Sequence, residues 1–441
     1  MSRSVVITGL GPITAFGAGI EPLFDALLEG RSAVRRIERF DPTGFPCQIA
    51  AELPDDRFSV RKVVPKSYRK ATKVMCRDIE LAVGAAAAAV EDAQLVTKAA
   101  DPDAEPTVPG HRFGCHIGAG LIAADVDELA AALMTSRNGE GQFDIGHWGS
   151  AGMENLTPLW LLKYLPNMLA CHVTIIHDCR GPSNTITCCE ASSGLSLGES
   201  MRVIERGSAD ACLTGGAEFK LNPMAFARQI FAQRLAEATG EGVDPTTVAR
   251  PFDPQARGTV LGEGGGILVL EAQDIAQARG AEPYALVAGF ASTQSFCPDT
   301  VGLQLPEDGD GLAEAIEGAL READMGIGDI DAIVPFGSSI PNVDQGEAAA
   351  VRRVFGDRAS SIPLITTVPN VGNCNAGNGA VGLCVAAKCL REQKLPARIN
   401  TSGANGLDAN SCGARDAKLE TILVCSSSQG GQNAAVVLKR T

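Results

Sequence analysis

Short apolar runs that stop at glycine or serine alternate with longer Ala/Leu-rich stretches of helical period, and this alternation constrains the fold more than any single motif. The strand-like runs are Val5–Ile7, Phe113–Ile117, Ala211–Thr214, Gly266–Leu270, Ile330–Val334, Thr421–Cys425 and Ala434–Leu438; β-rich residues bounded by turn formers read as strands. Between them lie Asp78–Ala93, Asp125–Met134, Gly194–Glu205, Gly311–Ala323 and Gly379–Leu390, whose apolar positions recur with a helical period. Strands that are apolar nearly throughout belong to sheets covered on both faces, so the chain is predicted to be an α/β protein. The pattern runs through twice. The first pass ends near Glu271 and the second starts after Ala278-Arg279-Gly280-Ala281, with no Pro- or Ser-rich linker between them. Two closely packed halves, 1–271 and 272–441, are expected.

Composition narrows the function. With 441 residues, 45% of them hydrophobic and 20% charged, the chain can bury a large core. A net charge of −14 argues against nucleic acid or an anionic membrane as a general partner, because both would be repelled. The most apolar long stretch, Leu81–Val90, is mostly alanine and bounded by charges, so no membrane span is expected. Met1–Gly9 reads as a short strand ending in glycine and not as a secretion signal. The fourteen cysteines form no C-x-x-C pair, and Cys171, Cys212, Cys384 and Cys425 sit in apolar segments; reduced thiols in a cytoplasmic protein fit this usage. Gly9-Leu10-Gly11 follows a strand but lacks the third glycine and the downstream acid of a dinucleotide loop, and Gly262–Gly266 leads into a strand and reads as a tight turn. The five histidines show no metal-ligand spacing, and His172 and His177 flank an apolar run read as a strand. No cofactor and no metal are expected.

Gly181-Pro182-Ser183, then Glu190, Gly207-Ser208-Ala209-Asp210 and Gly215-Gly216-Ala217-Glu218 resemble the nucleophile region of β-ketoacyl synthases, which join acyl chains to malonyl units on acyl carrier protein. The resemblance continues in family order through Arg250-Pro251-Phe252-Asp253, Leu261-Gly262-Glu263-Gly264, Phe336-Gly337-Ser338, Gly372-Asn373 and Gly430-Gly431-Gln432-Asn433, covering essentially the whole chain. It implies a thiolase-like fold, a duplicated α-β-α-β-α architecture in five layers. It also implies where chemistry would sit. The family's nucleophilic cysteine falls at Glu190, with Cys189 one residue away, and its two histidines and lysine fall at Phe336, Asn373 and Val368. All five histidines precede the nucleophile motif, whereas the family's active-site pair follows it. The C-terminal loop that gates the family's pocket reads Ser426-Ser427-Ser428-Gln429-Gly430 here, with Ser427 at the gate position and Ser426, Ser427, Ser428 and Gly430 as pocket or oxyanion-loop residues.

Each reactive side chain is thus replaced while the scaffold motifs remain. A carboxylate at a helix N-terminus is stabilised by the helix dipole and free N–H groups, which depresses its pKa and makes Glu190 a poor base near neutral pH. The resemblance implies a non-condensing, chain-length-factor-like partner subunit of fatty-acid or polyketide synthesis. Two alternatives stand beside it: a repurposed acyl-thioester decarboxylase or hydrolase using Glu190, and an acyl-chain binding homodimer. Expected partners are acyl carrier protein and a second synthase-like subunit, in a homodimer or in a heterodimer with an active ketosynthase. Carrier docking is assigned to Arg61, Lys62, Lys66, Arg69 and Lys70, within a basic run from Arg57 to Arg77 that could attract an acidic protein locally despite the negative net charge.

Overall fold

The computed structural model describes residues 3–101, 103–240, 242–296, 306–402, 406–408 and 410–441. Nine strands carry the fold: β1 (Val5–Thr14), β2 (Phe113–Gly118), β3 (Ser183–Ile186), β4 (Ala211–Glu218), β5 (Gly264–Ala272), β6 (Ala285–Gln294), β7 (Ala332–Val334), β8 (Thr421–Ser427) and β9 (Gln432–Lys439). They lie in the order β7-β8-β9-β6-β1-β5-β4-β2-β3. From the β3 edge, β2 runs parallel to β3 and β4, β5 antiparallel to β4, and β1 antiparallel to β5. The other half repeats this series: β7 is parallel to β8, β9 antiparallel to β8, and β6 antiparallel to β9. A parallel bridge from Leu364 to Ile333 stands where β3 stands in the first half. The halves are stitched by a short β1–β6 pairing at Val6–Leu286 and Ile7–Ala285.

Helices complete five layers. The first half-sheet is covered outside by α1 (Arg77–Asp92), against which α2 (Met168–His177) packs, and the second half-sheet by α4 (Asp310–Glu322), with α5 (Pro341–Phe355) against it. Between the half-sheets lie α3 (Ser192–Glu205) and α6 (Asn378–Glu392), each touching strands of both halves. A helix wrapped by two sheets must be small and apolar all round. Residues 378–390 of α6 are all buried, and α3 opens Ser192-Ser193-Gly194. A Cβ at Gly198 of α3 would enter the Phe290 ring of β6, and one at Gly379 of α6 would lie 2.9 Å from the Ser426 hydroxyl. No helix among the described residues is long and apolar enough to cross a membrane.

Two expectations are corrected. The run around His172 and His177 is helix α2, because Leu169, Val173 and Ile176 recur at helical spacing on its buried side. The glycines after Gly262 are not a tight turn: Gly264, Gly265 and Gly266 belong to β5, and a Cβ on Gly265 would overlap the Gly216 carbonyl of the neighbouring strand. Gly9 and Gly11 serve a similar close approach, since their Cβ positions are filled by the Ala89 and Ala85 carbonyls of α1.

That contact generates a prediction. Gly11→Ala must displace α1 from β1, an overpacking that costs about 1–3 kcal/mol. The urea midpoint should fall with little change in the slope of the transition.

Candidate functional site

The inner helices α3 and α6 point their N-terminal ends at each other. Each is entered through a 3₁₀ turn, Cys189–Ala191 before α3 and Asn375–Gly377 before α6, and the two turns touch. Each turn begins with a non-glycine residue in the left-handed region, Cys189 at φ 45° and Asn375 at φ 49°, a sparsely populated conformation that persists only where surrounding structure enforces it. The Cys188 N–H is held by the Ser192 hydroxyl at 2.8 Å. Glu190, second in its turn, is carried inward and is 1% exposed.

Three elements far apart in sequence supply the partners of its carboxylate. Arg234 follows the helix Pro223–Phe231, where Gln233 at φ 55° turns the chain and the Arg234 carbonyl accepts from the Thr259 N–H at 2.8 Å. Its guanidinium forks: Nη2 is paired with Glu190 Oε1, and Nη1 donates to Gln429 Oε1 at 3.0 Å. Asn373 is fixed by its backbone, donating to Val260 at 2.8 Å, and by Oδ1, which accepts from the Asn375 N–H at 2.8 Å. That acceptor role leaves Nδ2 to face Glu190 Oε1, at 3.4 Å. The Gln429 N–H donates to Oε2, also at 3.4 Å. Burial alone would raise the Glu190 carboxyl. Arg234, the residue's own N–H and Asn373 outweigh it, so the group lies below its usual range.

The opposite helix end has its own carboxylate. Glu218, at the end of β4, accepts the Ala376 N–H at 2.9 Å and is ion-paired with Lys220. Asp78 shares that lysine electrostatically; burial pushes its carboxyl up to about 7 even though it accepts the Phe219 N–H at 2.9 Å. Cys189 is exposed as a residue, yet its thiol is pushed up to about 12, first by burial and then by the Glu190 charge.

The remaining expected positions separate. Asn373 meets Glu190. Val368 is buried in an apolar cluster with Phe226 and Leu261, and Phe336 is buried on the loop after β7. The Phe336 and Gly337 N–H groups donate to Glu347 at 2.7 and 2.9 Å. In the C-terminal loop the serines face elsewhere: Ser427 donates to Asn433 Oδ1 at 2.8 Å and Ser428 to Gln432 Oε1 at 2.7 Å. Ser426 lies against the start of α6, and Gly430, at φ 107°, turns the loop so that Gln429 reaches the site. Arg61, Lys62, Lys66, Arg69 and Lys70 are all exposed, and none is ion-paired with a described residue. The sequence reading missed Arg234 and Gln429. The available signal was physical: an acid at a buried elbow needs a buried cation, and Arg234 stands alone in the stretch from Gln229 to Ala236. His116, His172 and His177 are buried, and burial lowers each below the usual histidine range.

Comparison with known proteins bears on the family and the fold. Residues 2–276 match the family model described as β-ketoacyl synthase, N-terminal domain, and residues 284–402 match the corresponding C-terminal domain. The chain is 31% identical to a putative polyketide β-ketoacyl synthase 1 of Streptomyces halstedii, over 99% of this chain and 98% of that protein. It is 30% identical to 3-oxoacyl-[acyl-carrier-protein] synthase 2 of Coxiella burnetii, over 99% of each. Among solved structures, the ishigamide ketosynthase/chain length factor superposes with a TM-score of 0.83 at 27% identity, over all of both chains.

Two predictions follow from the ion pair and the thiol. Because the folded-state pKa of Glu190 is depressed, its contribution to stability is present above the usual glutamate pKa and is lost as pH falls through the folded value. Arg234→Met should cost about 3–5 kcal/mol near neutrality by stranding the carboxylate. Without Arg234 burial raises that carboxyl, so the gap between variant and wild type should narrow on acidification, read by urea unfolding across pH. For Cys189, iodoacetamide should label slowly at neutral pH despite the exposure, and Glu190→Gln should accelerate it.

Proposed function

The chain belongs to the β-ketoacyl synthase family, and we propose that within it this protein is a non-condensing, chain-length-factor-like subunit of fatty-acid or polyketide synthesis. One observation carries the reading: the elbow position holds a buried carboxylate locked to Arg234, which cannot form the acyl thioester that condensation requires. Phe336 and Val368, apolar and buried, offer neither a proton nor a charge to an enolate. An ion-paired carboxylate of depressed pKa is also a weak general base near neutral pH, which disfavours the decarboxylase or hydrolase alternative.

The surface supports a partner subunit. Strand β3 ends the sheet, with Ser183 and Asn184 exposed, and an open edge is a template for pairing with another chain. Large apolar side chains also stand exposed between residues 121 and 175, among them Leu121, Met134, Phe143, Ile145 and Leu161. Large apolar side chains exposed in one segment favour burial against a second chain. An active ketosynthase of related fold is the proposed occupant, in keeping with the ketosynthase/chain length factor named in the superposed structure. The relatives' names refer to acyl carrier protein, and the exposed basic residues Arg61, Lys62, Lys66, Arg69 and Lys70 supply a complementary surface for that acidic partner.

Purified alone, the protein should turn over no malonyl-carrier protein; co-expressed with its cognate synthase, it should co-purify at the mass of a heterodimer and condense. Decarboxylation or hydrolysis of an acyl thioester by the isolated chain, lost in Glu190→Ala, would instead establish the enzymatic alternative. Reversing Lys62 and Lys66 to Glu should weaken carrier-protein binding, with the loss shrinking as salt rises.

A further inference from the structure

The basic stretch assigned to carrier docking is held to the rest of the chain by very little. From Pro65 to Val74 no residue is fully buried, and the backbone hydrogen bonds stay within the stretch: the Tyr68 N–H donates to the Pro65 carbonyl, that of Arg69 to Lys66 and that of Lys73 to Lys70. Its two 3₁₀ turns, Lys66–Tyr68 and Ala71–Val74, bring side chains three residues apart into register. Lys66 therefore stands beside Arg69, and Lys70 beside Lys73. Like charges so placed push each other apart.

One polar link opposes that repulsion. Among the described residues, Tyr68 carries the only side chain between 65 and 74 that hydrogen-bonds to another element. Its hydroxyl meets His172 Nδ1 of α2 at 2.8 Å, and the two rings lie edge to face with centroids 5.9 Å apart. His172 is 3% exposed, and burial lowers its pKa, so the neutral ring offers Nδ1 as an acceptor. Nε2 has no partner among the described residues. The Tyr68 hydroxyl is thus the ring's one hydrogen bond, and α2 continues the connection inward by packing on α1.

We infer that Tyr68 and His172 are positioning residues for the carrier protein: the bond between them fixes the turns that present Lys66, Arg69, Lys70 and Lys73, so that an acidic partner meets a preformed pattern of charge. This rests on the docking reading above and adds the device that sets the pattern. Without the bond every charge remains, but the turns must be ordered when the partner arrives, and that ordering is subtracted from the affinity. An acidic chain with no fixed shape gains nothing from the pattern and responds to charge alone.

The test compares the host's acyl carrier protein with poly-glutamate as ligands, both read by calorimetric titration. Tyr68→Phe retains the ring and every charge. It should bind carrier protein about 5-fold more weakly than wild type, the scale of one net hydrogen bond, and poly-glutamate equally well. His172→Leu should reproduce the loss, whereas His172→Asn, whose amide oxygen can stand where Nδ1 stands, should recover most of the affinity. Trypsin should cut the stretch faster in Tyr68→Phe than in wild type, while reversing Lys62 and Lys66 to Glu should weaken binding of both ligands. The inference is overturned if Tyr68→Phe binds carrier protein as wild type does while the charge reversal weakens it, if Tyr68→Phe loses poly-glutamate to the same degree, if trypsin cuts it no faster, or if Asn at 172 serves no better than Leu. Charge reversal without effect on carrier protein overturns the docking reading itself, and the inference with it. Should a variant at 172 not fold, Tyr68→Phe carries the comparison, since the ring that packs against His172 is kept.

Discussion

Two helices buried between two sheets meet end to end at their N-termini, and the rest of the molecule is organised around making that meeting tolerable. Each end presents partial positive charge and unpaired N–H groups in a region closed to water. The chain answers with one carboxylate per helix, Glu190 for α3 and Glu218 for α6, and one cation per carboxylate, Arg234 and Lys220. Ser193, Gly194 and Gly379 bring the helix ends together, a Cβ on Gly379 lying 3.4 Å from the Ser193 Cβ and 3.6 Å from the Gly194 nitrogen.

The same electrostatics decides the chemistry. A site that activates a nucleophile needs an anion whose charge is available to a substrate; here the anion at the elbow is spent on Arg234, Asn373 and Gln429. On the proposed reading, the position that the resemblance assigns to the family's nucleophile holds a satisfied carboxylate in this chain, and the C-terminal loop is drawn into the same network through Gln429.

Much of the architecture was legible because it is periodic. The seven strand runs and five helical runs read from the sequence all fall on observed elements, since short continuous apolar runs encode strands covered on both faces and apolar repeats at 3.6 residues encode a helix's buried side. What escaped had mixed signals: β3 is a half-exposed edge, β6 alternates buried and partly exposed residues, and α2 is rich in β-branched residues that suit a strand as well. Glu190 and Asn373 could be located by motif, but the partners Arg234 and Gln429 lie 44 and 239 residues from Glu190. No local spacing encodes a contact of that range; only the demand that a buried charge be balanced points to it. In the C-terminal loop the sequence supplies hydroxyls, whereas the group that the structure brings to the Glu190 carboxylate is the Gln429 backbone N–H.

The Glu190–Arg234 pair also shapes which sequences this protein can reach by single steps. A neutral residue at 190 leaves a guanidinium buried and alone, and a neutral residue at 234 leaves a carboxylate so; either intermediate bears the cost of an uncompensated charge in the core. Passable single changes at 190 are therefore those that keep an anion there, a carboxylate or a cysteine able to ionise beside Arg234. A chain carrying this pair can reach a thiolate in one substitution, yet reaches an uncharged position 190 without a stranded charge only by changing both positions together.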